Sequence, residues 1–352
     1  MTGRCGFFIL TINPGSTSTE IGYFKNNTCL IQETFPHSIH NSRMSFQQQV
    51  TSLHNDIKPF LGQLNTFDAI ASRGGPLKPL PGGVYKINKA MIRDYQNQTY
   101  SKHPSNLGAI LANKLSKEFS VPAYIVDPVS VDEMIPKAKI SGVPTIERKS
   151  RSHALNIKFC VYKASTENNI PIEKSNFIVA HLGGGFSIAA VKRGRIIDVN
   201  DALLGMGPFS IERAGALPLS GLIDLIYDNS ISKEELTELL SKNSGLKGYL
   251  GTNNFKEIEK RLNEKDVQLI YEAMIYQIQK EIGAMFAALN GCVDACIFTG
   301  GLAKSHRLIN NLLSNLCFID QIIIYPGSFE LDALANGVYR VMSGQLNQKE
   351  YT

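Results

Sequence analysis

Two apolar runs of similar length, 7–12 and 177–182, each stop at a turn rich in glycine and hydroxyl residues, and a second apolar segment follows each turn, at 20–24 and 187–192. Further runs rich in Val, Ile and Phe at 69–72, 123–126, 195–199, 295–299 and 321–325 are bounded by Gly, Pro, Asn or Asp, a pattern that predicts strands. Lys192-Arg193-Gly194-Arg195 reads as a tight hairpin turn. Between these runs the period changes. Leu107, Ile110, Leu111 and Leu115 fall on one helical face, and Ser232 with Glu235 forms a capping box opening a helix through Leu240. The longest helix is predicted over 265–289, with Ile270, Met274, Ile278, Ile282 and Phe286 spaced by fours, and a last helix over 331–342 turns Leu334 and Val338 inward. Hairpins followed by alternating strands and helices predict an α/β fold of mixed sheets flanked by helices.

The repeated turn carries the first chemical signal. NPGSTST (13–19) and GGGFS (183–187) begin 170 positions apart, far beyond a solenoid period, so a duplicated domain is the simpler reading, with a boundary near the Pro- and charge-rich stretch 143–152. Such turns direct backbone N–H groups and hydroxyls into one small region, and phosphate is the ligand that best fits it. The candidate phosphate-binding residues are Ser16, Thr17, Ser18, Gly183, Gly184 and Gly185. No GK[ST] tripeptide follows a strand, so this is not a P-loop. A third turn, TGGLAKS (299–305), places Gly300 and Gly301 where a Cβ would collide with a close ligand, and it suits an adenosine better than a phosphate. Taken alone, the Gly-Ser-Thr turn is equally an ordinary hairpin; its pairing with the other two favours a nucleotide.

Composition narrows the classes. The chain has 352 residues, 43% of them hydrophobic, which is enough for two cores, and its net charge of +5 argues for little. The longest basic cluster is RKSR (148–151), read as a solvated turn, so no nucleic-acid partner is expected. There is no cleavable leader pattern and no apolar run long enough to span a bilayer, so no membrane partner is expected. Six cysteines form no CxxC pair, and Cys292 and Cys296 lack companion zinc ligands; buried, reduced thiols in a cytoplasmic protein are expected.

Eight segments in order, NPGSTST, SRGGPLKPLPGGVY, DPVSVDEM, RKSRSHALN, HLGGGFSI, DVNDALLGMGPFSIERAGALP, FTGGLAKS and YPGSFELDALANG, are similar to the butyrate kinase branch of the acetate kinase family, over nearly the whole chain from Phe7 to about Met342. The resemblance implies the duplicated ribonuclease-H-like fold of actin, hexokinase and Hsp70. Its domains would be 1–148, rejoined by 331–352, and 149–330, with the active site in the cleft between them. It also implies ATP/ADP and Mg2+ as cofactors, a short-chain carboxylate or acyl phosphate as partner, and a homodimer or higher homo-oligomer. In the implied reaction a carboxylate attacks the γ-phosphate of ATP. Its pKa is near ~4–5, by analogy with Asp and Glu, so it is already ionised and no general base is required. What the site must supply is positive charge and in-line alignment.

Carried over by motif, Arg73 and Arg213 hold the carboxylate and stabilise the transferred phosphoryl group, and His153 contacts its oxygens. Asp127 organises Mg2+ or an arginine, Glu330 and Asn13 belong to the metal end, and His181 lies near the phosphate loop. By residue pattern alone, an Arg beside glycines is more often a surface ion-pair partner, a lone His a structural residue and an Asp before Pro a turn former. The chain departs from the branch at Glu20, where a Lys is usual, at Ser328 and Phe329 after YPG, and at Leu204 and Met206, where acidic residues are usual. Butyrate reads first as the acid. Isobutyrate, propionate and acetate are alternatives, and a non-catalytic ATP-binding module is the alternative from another class.

Overall fold

The computed structural model describes residues 6–37, 44–64 and 66–352. Among them the first sheet contains β1 (Phe8–Pro14), β2 (Ser18–Lys25), β3 (Thr28–Pro36), β4 (Ala69–Ser72), β5 (Val84–Lys86), β6 (Ala123–Val126) and, from the C-terminal region, β12 (Lys349–Glu350). The second contains β7 (Asn176–Leu182), β8 (Phe186–Lys192), β9 (Arg195–Val199), β10 (Ala295–Gly300) and β11 (Ile322–Pro326). The strand orders are β12-β5-β6-β4-β1-β2-β3 and β11-β10-β7-β8-β9. The repeat is therefore one of topology. In each sheet an antiparallel meander, β1-β2-β3 or β7-β8-β9, is extended on its first strand by parallel neighbours, β4 then β6 or β10 then β11.

The chain divides into two compact units, one of Met1–Asp132, Ala154–Asn156 and Phe329–Thr352, the other of Glu133–His153 and Ile157–Ser328. In the first, Leu10, Ile12, Ile57, Phe60, Ile70 and Leu115 build a core between the sheet and the helices Phe46–Leu61 and Asn106–Phe119. In the second, Ile178, Ile188 and Phe298 pack against Met274, Ile278 and Ile282 of the helix Lys265–Ala288. Each such side chain, fully buried, contributes about 1.5–3 kcal/mol. Strands β4, β6 and β10 are buried at every residue, which is why they read as continuous apolar runs rather than alternations.

Several elements differ from the sequence reading. Strand β1 runs on through Asn13 and Pro14, so the first turn shrinks to 15–17 and closes with Gly15 N–H donating to the Ser18 carbonyl at 2.7 Å. Strand β3 is unannounced because it is exposed along almost its whole length, and a strand with no buried face has no alternation. The basic stretch 148–151 is more than a solvated turn: Arg148 pairs with Asp198 at 2.9 Å and donates to the Ala138 carbonyl. The expected burial of the thiols holds for Cys160 and Cys296 only; Cys29, Cys292 and Cys317 are exposed and free, and Cys5 lies outside the described residues. Among the described residues no helix is long and apolar enough to cross a membrane.

The hairpin at 192–195 forms as expected, with Arg193 and Gly194 both at positive φ (53° and 74°), as a type I′ turn requires. The helix Glu330–Met342 lies on the first sheet through Gly337, where a Cβ would fall 2.6 Å from a methyl of Val126 and 3.3 Å from one of Val84. Those valines are stiff, so Gly337→Ala is expected to lower the unfolding free energy by about 1–2 kcal/mol despite the better helix propensity of Ala. Gly283, inside Lys265–Ala288 with open space around it, is the opposite case: Gly283→Ala is expected to raise stability by about 0.5–1 kcal/mol. Urea unfolding of both variants checks the two signs.

Candidate active site

In the first unit three parallel strands end side by side. Ile12 of β1 is level with Ser72 of β4, and Ser72 is level with Ile125 of β6. Asn13, Arg73 and Asp127 therefore follow the same carboxyl edge, where open α/β sheets bind ligands. Arg73 is anchored by its own N–H, which donates to the Ile12 carbonyl at 2.9 Å, and its Nη1 reaches Asn13 Oδ1 at 3.4 Å. Two glycines follow it because there is no room for more: a Cβ on Gly74 would fall 2.5 Å from the Tyr95 hydroxyl, and one on Gly75 would overlap the Asn106 side chain at 1.8 Å. Asp127 sits at φ 36°, a conformation L residues rarely adopt, and is held on both sides by Gly83, whose N–H donates to its carboxylate at 2.7 Å and whose carbonyl accepts from its N–H at 3.0 Å.

Glu330 opens the helix Glu330–Met342, close enough to Arg73 and Glu20 to feel both charges. Burial pushes its carboxyl above the usual range; Glu20 adds to the rise and Arg73 opposes it. Ser16 and Thr17 are exposed in the turn, and the backbone N–H of His37 donates to the Thr17 carbonyl at 2.8 Å.

In the second unit His153 and His181 stack, with ring centroids 3.9 Å apart and planes 13° from parallel. His153 Nδ1 is 2.9 Å from Ser187 Oγ, and Ser187 lies directly across from His181 in the β7–β8 pairing. Arg213 packs its guanidinium against the glycine turn. Its Nη1 donates to the Ala202 carbonyl, and a Cβ on Gly185 would lie 1.8 Å from that nitrogen. Burial lowers the Arg213 pKa while Glu212 and Asp201 raise it; an arginine stays charged through such a shift. Ser210 donates to the Gly184 carbonyl at 2.8 Å, which pins the same turn. Gly300 (φ 91°) closes β10 within 2.3 Å of where a Cβ would meet the Leu182 carbonyl, so the Gly183 and Gly300 turns are neighbours, and Gly301 opens a 3-10 turn.

His103 is a residue the motifs did not single out. Ser105 N–H donates to its Nδ1 at 3.1 Å, so the neutral ring carries its proton on Nε2. Burial and then the nearby Arg73 charge lower its pKa to about 4, so it is a neutral N–H donor beside a cation. Its only local signal is its place before the helix Asn106–Phe119; its link to the first turn, Ser105 Oγ donating to the Pro14 carbonyl at 3.2 Å, spans 91 residues.

Comparison with known proteins places this geometry. The family model described as "Acetokinase family" matches residues 142–321. A "Probable butyrate kinase" of Listeria monocytogenes is 43% identical over 98% of this chain and 99% of its own length. The chain belongs to the acetokinase family. Among solved structures, the acetate kinase of Porphyromonas gingivalis superposes with a TM-score of 0.78 at 18% identity, covering 94% of this chain and 99% of its own. A propionate kinase from Francisella tularensis gives 0.74 at 19% identity, over 94% and 98%. These likenesses establish the duplicated α/β fold expected from the paired turns, with its two mixed sheets flanked by helices.

His103 generates a stability prediction. On acidification the unfolded chain takes up this proton near 6.5, while the folded chain resists until about 4. The contribution is therefore intact above pH 6.5 and lost as the pH falls toward 4, by about 3 kcal/mol in all, at 1.36 kcal/mol per unit. Denaturant unfolding at pH 7, 5.5 and 4.5 is expected to show a shallower acid decline in His103→Gln than in the parent; equal slopes would refute the neutral, buried ring.

Proposed function

We propose that this protein is a butyrate kinase, catalysing butanoate + ATP ⇌ butanoyl phosphate + ADP by direct in-line phosphoryl transfer. The observation that carries the reading is Arg73, fixed at the carboxyl ends of β1 and β4 beside Asn13 and the neutral His103, in a chain 43% identical over nearly its full length to a "Probable butyrate kinase". A guanidinium next to a neutral N–H donor suits a carboxylate that arrives already ionised, and no residue need accept a proton. In this reading Arg73 holds the carboxylate, with His103 Nε2–H as a second donor. Arg213 and His153 neutralise the equatorial oxygens of the moving phosphoryl group, and an arginine so placed is worth on the order of 10³-fold or more in rate. Ser16, Thr17, Ser18 and Gly183 to Gly185 cradle phosphates, His181 backs the phosphate turn, and Gly300 and Gly301 accept the nucleoside.

Among the described residues no three His, Cys, Asp or Glu side chains are grouped to hold a metal. Mg2+ fits nonetheless, because it takes one or two carboxylates and completes its shell with phosphates and water. Glu330 and the Asn13 amide would supply hard oxygen donors, and Asp127, locked by Gly83, would orient the same edge. When bound, Mg2+ supplies charge neutralisation at the phosphate oxygens.

Arg73→Ala and Arg213→Ala are each expected to lower acyl phosphate formation by about 10³-fold, measured by hydroxamate trapping, with unchanged unfolding midpoints. Near-normal turnover in either would overturn its role. No acyl phosphate from the parent protein, with ATP still bound, would favour a nucleotide-binding module. Across acetate, propionate, butyrate and isobutyrate, kcat/KM is expected to peak at butyrate, each methylene being worth about 1–3 kcal/mol; an acetate optimum would refute the substrate assignment.

Gly185→Ala is expected to push the Arg213 guanidinium aside and lower kcat by about 100-fold, and, because the new Cβ would also fall 2.9 Å from the Ala202 carbonyl, to lower stability by about 1–3 kcal/mol. Parallel kinetics and thermal melts check both effects.

A further inference from the structure

Just after the first turn, β2 carries a carboxylate whose part in the candidate site follows from its bonds. Glu20 on β2 lies directly opposite Asn13 on β1 in the antiparallel pairing, so their side chains share one face. Asn13 Nδ2 donates to Glu20 Oε2 at 2.9 Å, and Arg73 Nη1 donates to Asn13 Oδ1 at 3.4 Å. A carboxylate only accepts and a guanidinium only donates. Between them the amide of a buried Asn13 has one orientation that satisfies both ends. The reversed amide would aim Nδ2 at a cation and Oδ1 at an anion.

We propose that Glu20 is a positioning residue: it fixes the amide of Asn13 and, through it, the guanidinium of Arg73. The relay is Glu20 to Asn13 to Arg73, with the Glu330 carboxylate near enough to Arg73 and Glu20 to sense both. A rigid β-pairing sets the first link, so Arg73 is held by the sheet and not by its own flexible stem. Its effect on the carboxylate substrate rests on the proposed role of Arg73. The relay itself rests on the bonds.

Four variants of the full chain test it: Glu20→Ala, Glu20→Gln, Asn13→Ala and the double variant Glu20→Ala/Asn13→Ala. A hydrogen bond to a charged group sets the scale, about tenfold. Glu20→Ala is expected to lower kcat/KM for the carboxylate about tenfold, and Glu20→Gln, which keeps an acceptor oxygen, to restore most of the loss. In the Asn13→Ala background the same truncation should add nothing, since contacting residues couple. A full further loss there, or a Gln variant as poor as the Ala variant, would each overturn the relay.

The side-chain amide resonance of Asn13, assigned by its disappearance in Asn13→Ala, gives a readout independent of turnover. It should move in Glu20→Ala and return in Glu20→Gln; an unmoved resonance overturns the relay whatever the enzyme turns over. If the resonance responds but Arg73→Ala keeps full carboxylate affinity, the relay stands and the assignment of Arg73 to the substrate falls.

Discussion

Parallel strands held in register put their carboxyl ends on one line, and the candidate site of this chain depends on that line. Ile12, Ser72 and Ile125 are level across β1, β4 and β6, so Asn13 and Arg73, one residue on, and Asp127, two residues on, follow the same edge from three segments distant in sequence. The same holds in the second sheet, where His181 of β7 is level with Thr299 of β10 and Tyr325 of β11. Hydrogen-bond ladders are rigid compared with long side chains, so an arginine or an asparagine rooted at such an end is placed before any ligand arrives. Preorganised charge of this kind need not be rearranged at the moment of reaction.

Glycine is the second requirement, and its reason differs along the edge. At Gly75 the obstacle is the Asn106 side chain, and at Gly185 it is the Arg213 guanidinium together with the Ala202 carbonyl. At Gly300 it is the carbonyl of Leu182 together with a positive φ. The sequence motifs are glycine-rich because backbone and packed side chains share space there.

How much of this was legible beforehand varied with the physical signal. Buried strands such as β4, β6 and β10 show as unbroken apolar runs, and the helix Lys265–Ala288 shows its period because one side faces a core. Strand β3 was invisible, since its exposed residues follow no period. The short strands β5 and β12 were missed for a related reason: three and two residues cannot display a pattern, and they exist because they pair with a sheet already formed. Among the candidate residues, Arg73, Asp127, His153 and Arg213 are marked by the motifs around them. His103 is not, because Arg73 beside it, and Pro14, which accepts from its neighbour Ser105, come from far away in the chain. Glu20 was noticed as a departure, but its bond to Asn13 depends on the β1–β2 register, which only the shortened turn sets.

The discontinuity of the first unit has a consequence for how the chain is made. Its sheet takes β12, and its inner face takes the helix Glu330–Met342, from residues that follow the whole of β7 to β11. On the ribosome the segment 133–328 is complete before that helix appears, so the unit begun first is finished last. Until then Val84 and Val126, which meet Gly337 in the native fold, have no helix to cover them. An apolar sheet face left waiting in this way is what chaperones bind. The helix Glu330–Met342 thus sets the moment at which the strands leading to Asn13, Arg73 and Asp127 change from an adhesive face to a covered one.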